Sequence, residues 1–200
     1  MNGELYAIAA LFIIVCAFGL YRLYEWLFKL SQRTASDVLG FLIKIDMELI
    51  YGTFLPEAEK HFRETLSAAQ FKAIQVKRFH LAIHYSNQLS NNAQVLLSWT
   101  RYERKQDWID ASSVAVQRNV QDLRVTCVQF LCAAFIIRAY LRWGLIRMAL
   151  LPFTAPPSFN QLLAAGSWDM ITLYERIQRL AELFSICFGD EYHDKLMEAM

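Results

Sequence analysis

Two histidines four residues apart, His80 and His84 in the run Phe79 to Tyr85, are the sharpest local constellation in the sequence. Residues at i and i+4 on a helix share a face, so both imidazoles could reach one metal ion or a haem iron. The hydrolytic zinc pattern also needs a glutamate beside the first histidine as general base. Leu81 stands there, which excludes that chemistry. A structural site would need two further ligands from other helices. The bland expectation, and the preferred one, places His80 in a packing seam as a partly buried polar residue with His84 at its edge. No cofactor is then expected, and a metal or haem held by His80 and His84 is the alternative.

A weaker set is Glu57, His61 and Glu64, which share a face at helical spacing. Di-metal bundles use Glu-x-x-His twice, with two more glutamates from facing helices. Here the order is His-x-x-Glu and occurs once, with Asp190-x-x-His193 as the nearest second element. Charged helix ends explain both. Arg101, Arg104 and Lys105, interleaved with Trp99, Tyr102 and Trp108, offer charge plus stacking of the kind that binds single strands. Glu103, Asp107 and Asp110 dilute that charge, and the whole chain carries a formal net charge of only +1. Nucleic acid is not expected as a partner. Arg138, Arg142 and Arg147 follow the most apolar internal stretch. They suit lipid phosphate, because guanidinium forks match phosphate oxygens, or they pair with Glu175 or Glu182. The sequence holds no phosphate loop, no Gly-x-Ser-x-Gly and no Cys–His dyad. Cys16, Cys127, Cys132 and Cys187 lack CxxC spacing and read as reduced thiols.

The elements that must carry these residues are helices. The chain has 200 residues with 7 glycines and 4 prolines, too little punctuation for a many-stranded sheet. Its hydrophobic fraction of 56% exceeds the roughly 45–50% of ordinary soluble domains. Part of the excess is the uncharged run 5–20, LYAIAALFIIVCAFGL, bordered by Tyr21, Arg22, Tyr24, Trp26 and Lys29. A span needs about 20 apolar residues, with 17 as the lower limit, and the aromatic-basic border supplies the remainder in the headgroup layer. The preceding Met-Asn-Gly-Glu holds no basic residue, which argues against a cleaved signal. Residues 1–30 are therefore expected to be a single-pass anchor in the cell (inner or plasma) membrane. Lys and Arg follow the run rather than precede it. The N-terminus should lie outside, with residues 31–200 forming a cytoplasmic domain.

Within that domain Thr34 to Asp37 predicts a helix start, Val38, Leu42, Ile45 and Leu49 predict a helix over 36–51, and Gly52 a stop. From Pro56 a seam runs through Phe62, Leu66, Ala69, Ala73, Val76, His80 and Ile83. It fades at the polar cluster 86–92, with a further helix expected from Asn91 to about Lys105. The clearest seam is Val116, Val120, Leu123, Cys127, Phe130, Ala134, Ile137, Leu141, Gly144 and Met148, with alternating steps of four and three. A proline-rich linker at 152–157 precedes a last long helix striped by Ile171, Tyr174, Ile177, Ala181, Phe184 and Phe188 and closed by Gly189. The expectation is an all-α protein, an anchor followed by a bundle of about five helices with long coiled-coil-like antiparallel members. Phe130, Ile137 and Leu141 form its packing face, and Phe135, off the seam, meets either the same core or a partner.

With no active-site motif and an apolar surplus, the expected function is non-enzymatic. It is an interaction or assembly subunit of a membrane-associated complex, with the bilayer and other protein subunits or its own copies as partners. The alternatives are a helical-bundle metal or haem protein and a peripheral lipid-handling domain.

Overall fold

The computed structural model describes residues 34–54, 56–106, 109, 113–151, 156–158 and 167–200. The expected anchor at 1–30 lies outside the described residues, as does most of the proline-rich linker. The described residues are helical with no strand: α1 (Ala35–Val38), α2 (Met47–Phe54), α3 (Pro56–Thr65), α4 (Ala68–Glu103), α5 (Val114–Leu150), α6 (Ser167–Ser185), a 3-10 turn (Ile186–Phe188) and α7 (Asp190–Ala199).

The expected helix over 36–51 is not continuous. Asp37 closes α1 at its start by accepting from the Thr34 N–H (3.2 Å) and hydroxyl (2.6 Å). After Gly40 the chain runs without helix to Asp46, because side chains from α4 take the place of helical partners. Asn92 Oδ1 accepts from the Ile43 N–H at 2.9 Å, and Asn92 Nδ2 donates to the Ile43 carbonyl at 2.7 Å. Asn91 Nδ2 donates to the Phe41 carbonyl at 3.0 Å. Asp46 then restarts the helix by accepting from the Glu48 N–H (3.0 Å) and Leu49 N–H (3.3 Å), as an N-cap does. Gly52, expected as a stop, lies inside α2.

The second correction concerns α4. The seam expected to run unbroken from Phe62 is interrupted at Leu66–Ser67, where Ser67 Oγ accepts from the Gln70 N–H (3.4 Å) and Gln70 Oε1 accepts from the Ser67 N–H (3.1 Å). This reciprocal capping box starts a new helix. That helix passes straight through the polar cluster 86–92 and continues to Glu103. One buried row runs through Phe71, Gln75, Phe79, Ala82, Ser86, Leu89, Ala93, Leu96 and Thr100, with Ser90 and Asn92 buried beside it. The row precedes the expected seam by one residue, a rotation of about 100°. The polar members are buried because they are bonded: Gln75 Nε2 donates to the Pro157 carbonyl (3.0 Å), and Ser90 Oγ to the Ser86 carbonyl (2.7 Å).

Ser113 caps α5 by accepting from the Val116 N–H at 3.4 Å. Every seam position of α5 from Val120 to Met148 is buried. Across the α4–α5 interface Asn87 meets Arg138 and Phe79 meets Gly144, so the two helices run antiparallel. Helix α6 returns alongside α4, matching Met170 to Ser86, Tyr174 to Asn92 and Phe184 to Trp99. These three helices enclose the core. At its far end Trp99 stacks with Phe184 (4.6 Å), Phe188 (5.2 Å) and Tyr192 (5.7 Å), and Gly189, at φ +96°, turns the chain into α7. A backbone angle of that kind suits glycine. With only 19 residues to the 37 of α5, α6 accompanies one half of the long pair.

Among the described residues α5 is the helix long and apolar enough to cross a membrane by length and composition, and 44% of its most apolar window is buried inside the bundle.

Candidate functional site

The one-residue rotation of α4 carries both histidines outward. His80 and His84 are exposed, so the expectation of a partly buried His80 in the seam is overturned. Gln75, Phe79 and Ala82 hold the core face instead. The ring nearest His84 is its neighbour Tyr85, at 5.8 Å. Among the described residues no group of three or more His, Cys, Asp or Glu side chains converges, so no third ligand joins the pair. His61 and Glu64 are exposed on α3.

His193 does meet a hydroxyl that the sequence did not single out. Its Nδ1 lies 2.8 Å from Ser185 Oγ, brought close by the turn at Gly189. The hydroxyl also donates to the Glu182 carbonyl at 2.7 Å, and Ser185 is fully buried. Ser185 Oγ thus bridges the Glu182 carbonyl and His193 Nδ1. The pair is a closure of the α6–α7 turn.

Trp99, expected beside basic residues as a stacking platform, is fully buried, and its Nε1 donates to Glu103 at 3.2 Å. Glu103 is itself buried, and with desolvation it raises the Tyr192 phenol above its ordinary range, desolvation being the larger cause. Burial likewise raises the Tyr174 phenol. Cys127 is buried, Cys132 half-buried and Cys187 exposed, all as free thiols.

The arginines behave differently from one another. Arg138 donates through Nη1 to Asn87 Oδ1 (2.9 Å) and through Nε to the Ala134 carbonyl (3.1 Å), which ties it to the α4–α5 pair. Arg142 and Arg147 are exposed, and neither forms an ion pair among the described residues. The expected pairing with Glu175 or Glu182 does not occur. Helix α6 lies beside the other half of α5, and Glu175 accepts from the Tyr51 hydroxyl and faces Arg179 at 4.0 Å.

Among the described residues, the outer side of the second half of α5 carries the longest row of exposed large apolar side chains on one helix face. Phe130, Ile137 and Leu141 point into the core, with Phe130 5.6 Å from the Tyr174 ring. Phe135 points away and is 51% exposed, with Ile136 at 59%, Trp143 at 64% and Leu150 at 73%. At about 100° per residue, Phe135, Ala139, Trp143, Ile146 and Leu150 fall within an arc of about 80°, opposite the buried seam. Arg142 lies just outside one edge of that arc and Arg147 outside the other. A soluble helix places polar residues opposite its core. This one places a row of large apolar residues there, with cations along the margins.

No family model, no curated protein and no solved structure matches this chain.

Proposed function

We propose that the protein is a non-enzymatic interaction subunit, held at a membrane by residues 5–20, whose helical domain uses the outer stripe of α5 as its contact surface in a membrane-associated assembly. The observation that supports this reading is the stripe itself. Burying a Phe, Leu or Ile side chain is worth about 1.5–3 kcal/mol, so a row of them left in water favours association strongly. The buried face of α5 already supplies the fold, so the outer residues are spare to it. Inside the bundle, Ser185 donates to the Glu182 carbonyl and Glu103 accepts from Trp99.

The test is protection of the stripe in native membranes. An Ile146→Cys variant of the full chain is treated with a membrane-impermeant maleimide, and modification at position 146 is compared with that of Cys187, an exposed native thiol. The expected result is slow modification at 146 in membranes and fast modification after denaturation. Equal rates at 146 and Cys187 in native membranes would leave the stripe bare and overturn the reading.

A further inference from the structure

We infer that what covers the α5 stripe is the surface of an anionic phospholipid bilayer, with Phe135, Trp143, Ile146 and Leu150 dipping below the headgroups and Arg142 and Arg147 contacting lipid phosphate. The inference rests on the reading of the stripe as a contact surface and names what it contacts.

Charge complementarity points to lipid. The formal charge of the chain is only +1, but its distribution is lopsided. Between Asp122 and Asp169 the sequence holds no acidic residue and four arginines. Between Glu64 and Glu103, the whole of α4 before its last residue, it holds no acid while carrying Lys72, Lys77, Arg78 and Arg101. The first half of α4 and the second half of α5 lie together, as the Phe79–Gly144 contact shows. That end of the pair carries exposed cations at Lys77 on α4 and at Arg142 and Arg147 on α5, while Arg78 is buried and donates to the Thr53 carbonyl at 3.0 Å. On the neighbouring α3, Glu59 is buried and ion-paired with Arg63 at 3.1 Å, and Glu64 is exposed. A protein partner of the usual mixed charge would be matched by carboxylates along the rim. A rim of arginine alone matches a surface of one sign.

The residue types and their order point the same way. A helix lying in the interface carries bulky apolar residues on one side, cations at the margin of that side, and tryptophan at headgroup depth. Arg142 and Arg147 flank the apolar arc, where their stems can lie along the acyl boundary while the guanidinium groups reach outward. Trp143 lies between them. The buried seam on the opposite side keeps α5 in the bundle, so the helix lies on the membrane and does not cross it. The uncharged run 5–20, in the role proposed for it, holds the domain beside such a surface.

The experiment uses the purified full chain carrying Ile146→Cys, reconstituted into vesicles of phosphatidylcholine with or without phosphatidylglycerol and free of other proteins. Maleimide modification at 146 is measured relative to Cys187, which counts only chains whose domain faces the reagent. Each basic side chain near an anionic surface shifts the docked-to-undocked ratio about fivefold. Modification at 146 should therefore slow sharply only when phosphatidylglycerol is present. Adding Arg142→Gln and Arg147→Gln, both at exposed positions, should reverse that ratio by about 25-fold without changing helicity. High salt should reverse it in part. Equal rates in both kinds of vesicle would overturn the inference. If position 146 is protected in native membranes but in neither vesicle, the stripe meets a protein, and only the lipid assignment fails. If it is unprotected everywhere, the proposed function fails as well.

Discussion

Asn92→Ala removes a buried polar side chain that joins three elements of the bundle. Asn92 is fully buried and makes three bonds: to the Ile43 N–H at 2.9 Å, to the Ile43 carbonyl at 2.7 Å and to the Tyr174 hydroxyl at 3.0 Å. Truncation affects them unequally. Tyr174 is fully buried, so its hydroxyl loses a donor that water cannot replace, at about 1–3 kcal/mol. The Ile43 groups are only part-buried and recover much of their bonding from solvent, losing about 0.5 kcal/mol each. Alanine returns up to about 0.7 kcal/mol of helix propensity. The net expectation is about 2–3 kcal/mol, a large share of the roughly 5–15 kcal/mol that holds a domain together. For a chain of this size that is a fall in Tm of about 5–10 °C. Chemical denaturation of the full chain in mild detergent, followed by circular dichroism, measures it. Tyr174→Phe removes the stranded hydroxyl. The double variant should therefore be at least about 0.5 kcal/mol more stable than the sum of the single losses predicts. Trypsin cleavage at Lys44, in the segment that Asn92 holds, should accelerate in the Asn92→Ala variant. A loss under about 0.5 kcal/mol, or strict additivity, would refute the account of Asn92 as a joint.

Four further outcomes are expected. Phe130→Ala should cost about 3–5 kcal/mol as a cavity in the core, while Phe135→Ala, at a half-exposed site, should cost well under about 1.5 kcal/mol; melting curves of the two variants check the contrast. Gly144→Ala places a Cβ against the Phe79 ring and 3.4 Å from Pro157 Cγ, so it should destabilise by about 1–3 kcal/mol despite better helix propensity, with Phe79→Leu restoring part of the loss in a combined variant. Replacing His80 and His84 together by alanine should leave the unfolding free energy within about 0.5 kcal/mol of wild type, as read from denaturation curves, because both are exposed. Tyr174 and Tyr192 are held protonated by burial, so their contribution is present below the ordinary tyrosine value of about 10 and is lost as pH rises beyond it; ultraviolet titration should show a late, unfolding-linked fraction of tyrosine ionisation.

How far the fold could be read from sequence depended on what kind of residue filled the core. In α5 the seam from Val120 to Met148 is almost wholly aliphatic or aromatic, and its spacing alone marks the buried side. In α4 the same spacing exists, but Gln75, Ser86 and Thr100 occupy it, so apolar spacing marks the adjacent row and places His80 inward, where the structure does not have it. The cluster 86–92 suggested a break for the same reason. Serine and asparagine end helices when their side chains compete for the local backbone. Here Asn91 and Asn92 bond to chain some fifty residues earlier, which no local pattern discloses. The contact between Ser185 and His193 was also unread, since it depends on the turn geometry at Gly189. The stripe on α5 was legible in part. Phe135 stood out as an apolar residue off the seam, but whether it was buried depended on the length of α6, which sequence spacing on α5 does not encode.

The joint at Asn92 also orders events in time. Its partners are 49 and 82 residues away, so it cannot form while the chain is collapsing locally. The antiparallel α4–α5 hairpin has the shorter closure and should form first, followed by α6 docking Tyr174 against Phe130. Only then does Asn92 find both the hydroxyl and the backbone of Ile43, and the segment 41–46 is fastened last. What closes last opens first. The stretch from Thr34 to Asp46 should exchange its amide hydrogens as a unit of its own, at a lower free energy than the three long helices behind it.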